Sequence, residues 1–158
     1  MLTSTITFVT DQHPWSLPSK VLIDRYQLQQ HPEGGWYREL HRSQVVVTRA
    51  DGQQRSGFTA ILFLLEQGNP SAWHRVLGAD ESWHFIAGAP LELQLRADPS
   101  EPAQHHLLGF SLEHPELQPL VVVPADWWQA AHSLGAWSLV SCCVGPGFDF
   151  ADFEIHCP

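Results

Sequence analysis

From Trp36 onward the chain runs in short apolar bursts, rich in Val, Ile, Leu, Phe and Trp, broken by Gly, Pro, Asp and Asn. β-Branched and aromatic residues suit a pleated, half-buried surface and the separators suit turns, so the bursts predict strands. They fall at residues 36–41, 44–48, 59–65, 72–76, 82–86, 91–96, 105–110, 120–123, 127–131, 137–144 and 152–155. So many short strands at this spacing predict an antiparallel sandwich or barrel. The Asp51-Gly52 pair predicts a turn. Before the strands lies one predicted helix, residues 20–29, capped by Ser19, with Val21, Leu22, Tyr26 and Leu28 as its apolar face. The segment His31-Pro32-Glu33-Gly34-Gly35 stops it, because Pro and paired Gly do not continue a helix. The predicted class is all-β with a short N-terminal helix, one domain over residues 1–158, without repeats or a break in composition.

Composition narrows the partners. Apolar residues make up 44% and charged residues 16%, which suits a globular chain with a real core. The formal charge of −9, with only eight Lys and Arg, argues against nucleic acid, whose binders concentrate basic residues. No apolar stretch approaches a membrane span, and residues 1–10 lack the basic start and apolar core of a leader. The chain is therefore expected in the cytoplasm. Cys142 and Cys143 are adjacent, so on a strand they face opposite ways and do not bridge each other. With Cys157 they read as ordinary thiols of a reducing compartment.

Candidate chemistry sits in two segments. In the first, from Ala72 to Gly88, strand alternation puts His74 and Val76 on one face. On the next strand Glu81, Trp83 and Phe85 share a face and His84 points the other way unless a bulge intervenes. A His and a Glu from neighbouring strands can bind a metal, make an acid/base pair, or hydrogen-bond each other as a buried structural pair. In the second, from Val121 to Ala131, Trp127, Gln129 and Ala131 share a face, and the Gln129 amide can fix a ligand or satisfy a buried neighbour. Arg38 follows the Gly pair on a strand, where it can clamp an anionic ligand or form a surface ion pair. Arg75, opposite His74 in facing, suits a surface or intersubunit contact, and His105 and His106 suit solvent. The Phe-rich ending around Asp149 and Asp152 reads as a packing segment covering a sheet edge.

Together the two segments resemble the paired motifs of the cupin superfamily. The first motif has the form G-x5-H-x-H-x(3,4)-E-x6-G, and His74, Glu81 and Gly88 fall into its register with Val76 in place of the second His. The second has the form G-x5-P-x-G-x2-H-x3-N. Pro124 matches its Pro, while Asp126, Gln129 and Ser133 stand at the Gly, His and Asn. The phrases around Glu33-Gly34-Gly35, Trp73-His74-Arg75, Asp80-Glu81 with Trp83-His84-Phe85, Trp128-Gln129-Ala130 and residues 146–153 resemble the branch called cupin family 5. The resemblance implies a double-stranded β-helix (jelly-roll) barrel, commonly dimeric, and leaves the reaction open.

Two catalytic readings and one binding reading follow. By analogy with metal-independent cupin epimerases, His74 is the expected general base, its basicity raised by Glu81. Gln129 then holds the developing enolate, with Arg38, Trp83, Phe85, Trp127 and His84 as ligand contacts. The alternative is a metal cupin, oxygenase or isomerase, in which His74, Glu81 and Gln129 hold a divalent metal. Two strong ligands are few for that role, so no cofactor is the primary expectation. The third reading is a non-catalytic barrel that holds a small metabolite. A small-molecule ligand, a homodimer and neither nucleic acid nor membrane are the expected partners.

Overall fold

The computed structural model describes residues 17–156. Residues 1–10, read above for a leader, and Cys157 lie outside them. The helix α1 spans Ser19–Tyr26, shorter than expected. Pro18, not Ser19, occupies the N-cap, and no side chain caps it. Ser19 is instead the first helical residue, and its hydroxyl donates to Glu66. Gln27 ends the helix in the left-handed region (φ 54°), and the Leu28 N–H closes back on the Ile23 carbonyl. Leu22 and Leu28 are buried, but Leu28 lies beyond the helix and Val21 faces solvent.

Thirteen strands follow among the described residues. They are β1 (Gln29–Gln30), β2 (Trp36–Arg42), β3 (Val46–Thr48), β4 (Gln54–Ser56), β5 (Thr59–Glu66), β6 (His74–Val76) and β7 (Asp80–Gly88). Then come β8 (Leu91–Arg96), β9 (Gln104–Leu108), β10 (Leu120–Val123), β11 (Trp128–Ser133), β12 (Trp137–Gly145) and β13 (Phe153–Ile155). A six-stranded sheet runs β1-β2-β5-β12-β7-β10, and a five-stranded sheet runs β13-β6-β11-β8-β9. The expected strand at 44–48 pairs not with β5 but with β4, forming a separate hairpin across the Asp51-Gly52 turn. β1 and β4 carry too few apolar residues to be read as strands.

Between the sheets, one part of the interior is filled and another is open. Leu91, Leu93, Leu95, Leu108, Val121, Val140 and Ala131 pack with Phe63, Leu65 and Trp83 into one cluster. On the outer side of β5 and β12, helix α1 brings Leu22 against Leu62, Leu64, Trp137 and Leu139. Strand β5 is therefore covered on both faces, which explains its unbroken apolar run. The Phe-rich ending does cover an edge: β13 pairs Phe153 with Val76 and Ile155 with His74. Arg75 on β6 is bridged to Glu154 of β13, a partly exposed surface ion pair. Asp152, just before β13, is buried and accepts from Arg55 and Arg49, which tie the β3–β4 hairpin to the barrel.

Candidate functional site

Alternation along three neighbouring strands aims a consistent set of side chains inward. Glu81 on β7 lies opposite Val144 on β12, and Trp83 opposite Cys142; those two in turn face Thr59 and Ile61 on β5. In the other sheet His74 on β6 pairs directly with Gln129 on β11. Glu81, Trp83, His74, Val76, Cys142, Val144, Thr59 and Ile61 all line one cavity of about 120 Å³. That is below the roughly 300–1,000 Å³ of pockets for drug-sized ligands, so the cavity suits a small metabolite.

A loop supplies what the strands do not. Gly34 and Gly35 adopt φ of +105° and +71°, and a Cβ on Gly35 would stand 2.8 Å from the Leu64 carbonyl oxygen. Only glycine lets the chain turn this tightly against β5. The turn is pinned by His31 N–H to the Gly35 carbonyl (3.0 Å) and by Ala72 N–H to the Glu33 carbonyl (2.7 Å). Its result is that His31 and Glu33 reach into the cavity beside His74.

His74 Nδ1 lies 2.8 Å from the Ala72 carbonyl oxygen. A carbonyl only accepts, so Nδ1 carries the proton and Nε2 is directed at Glu33 Oε2, 3.2 Å away. The same carboxylate oxygen lies 3.3 Å from His31 Nδ1. One carboxylate thus stands between two buried imidazoles, and a proton on either member joins His74 to Glu33.

Glu81 belongs to a second chain of contacts. The Trp83 indole N–H donates to Gln129 Oε1 (2.8 Å), and Gln129 Nε2 donates to Glu81 Oε2 (2.6 Å). An indole nitrogen can only donate, which settles the direction of the whole chain. Burial pushes the Glu81 carboxyl above its ordinary range; the nearby His74 pulls it back, the charge of Glu33 pushes it further, and the Gln129 N–H lowers it. Burial likewise pushes the Cys142 thiol well above its usual value, with the charges of Glu81 and Glu33 adding to the effect.

Among the expected site residues, His74, Glu81 and Trp83 meet in the cavity lining and Gln129 stands behind them, joined to both Glu81 and Trp83. Others lie elsewhere. Arg38 donates from Nη1 to the Tyr26 carbonyl at the outer surface. His84 faces outward and meets the Ser82 hydroxyl at 2.8 Å. Phe85 and Trp127 pack against the filled part of the barrel rather than the cavity, and Trp127 precedes β11 instead of starting it. The carboxylate that touches His74 is Glu33, where the spacing suggested Glu81. Sequence reasoning also missed His31, Tyr37, Glu39, Arg42 and the mouth residues Phe148, Phe150 and Phe153. A usable signal existed for the first: a His and a Glu flank a Pro immediately before two glycines, a loop built for close approach as well as for stopping the helix.

The metal set of the superfamily does not fit these donors. Val76 offers no ligand, and Gln129 presents its NH2 to Glu81 while its carbonyl oxygen is turned to Trp83. Among the described residues no three His, Cys, Asp or Glu side chains are arranged to hold a metal ion.

Two sheets closed over a polar-floored cavity, with helix α1 outside, define a double-stranded β-helix barrel of the cupin type. The chain belongs to the family described as Cupin superfamily (DUF985), whose model matches residues 20–156. A hypothetical protein from Leishmania major is similar at 35% identity over 89% of this chain and 88% of that one, with a TM-score of 0.80. A protein from Shewanella oneidensis is similar at 33% identity over 89% and 85%, with a TM-score of 0.78. A single-site variant of the oxalate decarboxylase of B. subtilis shares the fold at 14% identity and a TM-score of 0.56, over 80% of this chain and 29% of that one. No protein of curated function matches. Among the described residues no helix is long and apolar enough to cross a membrane.

Proposed function

We propose that the barrel binds a small organic molecule and that His74 exchanges a proton with it, as in an isomerase or epimerase that needs no metal. The observation that carries this reading is the orientation of His74, with Nδ1 held by the Ala72 carbonyl and Nε2 directed at Glu33 on the cavity wall. An imidazole whose Nδ1–H is held by a carbonyl has a defined tautomer, and the proton shared between its Nε2 and Glu33 is one to give or take, which is what general acid–base catalysis requires. Glu33, rather than Glu81, is the carboxylate placed to raise the basicity of His74. Glu81, held by Gln129, faces the same space and can hydrogen-bond a developing enolate when it carries its proton.

The test is deuterium exchange. Small α-protonated aldehydes and ketones, amino ketones among them, are incubated with the protein in D2O, and loss of the C–H signal is followed by NMR. The expected result is enzyme-dependent exchange in at least one compound, abolished in His74→Ala, with binding retained. Binding without exchange in the parent protein would leave a metabolite-holding barrel and remove the catalytic role of His74. Native mass spectrometry of the gently purified protein identifies any molecule carried in the cavity. We further propose a cytoplasmic homodimer, on the family resemblance; sedimentation equilibrium reads the oligomeric state directly.

A further inference from the structure

The cavity's charges and hydrogen-bond demands select among small molecules. Three carboxylates line it, Glu33, Glu39 and Glu81, against one guanidinium, Arg42. That guanidinium is already matched: its Nε and Nη2 donate to the two oxygens of Glu39 (3.0 and 2.7 Å), and its Nη1 donates to the Phe148 carbonyl. The only other groups in the lining able to carry positive charge are the two imidazoles, both on the one oxygen Oε2 of Glu33. Glu33 and Glu81 are more than nine-tenths buried; no nitrogen or hydroxyl among the described residues donates to either Oε1, and the Cys142 thiol is hydrogen-bonded to Glu81. The carboxylates of Glu33 and Glu81, lining a cavity whose one guanidinium is already engaged, favour a ligand that brings donors to them. Around them stand the rings of Tyr37, Phe63, Phe148, Phe150 and Phe153, apolar surfaces whose faces also attract cations.

We infer that the ligand is a small amine with an apolar body, its ammonium N–H groups taken by the carboxylates of Glu33 and Glu81. Phosphate esters, sugar nucleotides and carboxylates are disfavoured, because an anion would face buried carboxylates with no uncommitted Lys or Arg to meet it. The inference deepens the reading that this cavity binds the substrate, and rests on it.

Three probes of one size and different charge test it on the full-length protein: benzylamine, benzyl alcohol and benzoate. Binding is measured by calorimetry at neutral pH, with the ring C–H resonances of His31 and His74 reporting occupancy. The expected result is that benzylamine binds at least tenfold more tightly than either of the others. In Glu33→Gln that advantage should fall at least tenfold while benzyl alcohol changes little. The second variant, Glu39→Gln at the more exposed mouth, frees Arg42 and should raise benzoate affinity. Benzoate or benzyl alcohol binding as tightly as benzylamine in the parent protein, with the histidine signals perturbed, would overturn the amine preference and leave the cavity reading intact. If none of the three moves those signals, the cavity reading falls and the amine inference with it.

Discussion

Replacing Gln129 by Leu removes the link between Trp83 and Glu81 at nearly constant volume, so the change is chemical rather than a cavity. Gln129 is 1% exposed and Trp83 is 1% exposed, so no water replaces the lost amide without rearrangement. The indole N–H loses its acceptor, and leaving a buried donor unmet costs about 1–3 kcal/mol. Glu81 loses the N–H that stabilised its charged form, so its carboxyl moves further up from the ordinary 4.5. Taking the proton limits that second cost, and the sum is about 2–4 kcal/mol at neutral pH. For a domain of this size that corresponds to a fall in Tm of roughly 4–16 °C. The pH dependence has a definite sign. A carboxyl raised in the folded state binds more protons there than when unfolded, so stability falls as pH climbs from the unfolded value through the folded one. Raising it further in Gln129→Leu widens that window. The deficit against the parent protein should therefore be smaller at pH 5 than at pH 8. Urea unfolding followed by Trp fluorescence at both values measures it. A loss below about 0.5 kcal/mol, near the range of ordinary surface changes, or one that is equal at the two pH values, would refute the Trp83–Gln129–Glu81 chain.

Other outcomes follow from single contacts. Gly35→Ala forces a side chain into φ +71° against the Leu64 carbonyl, and is expected to cost about 1–3 kcal/mol in thermal melts. Asp152 is held below its ordinary 3.8 by the Arg55 hydrogen bonds and the charge of Arg49. Asp152→Asn should therefore lower the urea midpoint above pH 5, with the gap closing as acid protonates the parent carboxylate. Cys142, buried and pushed away from its thiolate, should resist maleimide in a Cys143→Ser, Cys157→Ser background until urea is added. Zn²⁺, Mn²⁺ and Ni²⁺ should leave the Tm of the parent protein unchanged, whereas Val76→His with Gln129→His should gain a metal-dependent rise. A clear rise in the parent would refute the donor-set argument.

Local pattern was enough for the strands and for the inward set on β6 and β7, because alternation is a property of consecutive residues. Thus His74, Glu81 and Trp83 were legible as one face, and the apolar runs predicted most of the eventual strands. Tertiary structure decided the rest. Uniform alternation along β2 leaves the facing of Arg38 and Arg42 the same, yet β2 slips register between Glu39 and His41, and Leu40 is left over as the extra residue. That bulge turns Arg42 to pair with Thr59 on the cavity side while Arg38 stays outside. The meeting of Glu33 with His74 depends on a loop folding back onto a strand distant in the chain, a contact no periodicity encodes. The direction of the Gln129 amide, and with it the loss of a metal ligand, depends on an indole N–H that only the closed barrel brings within reach.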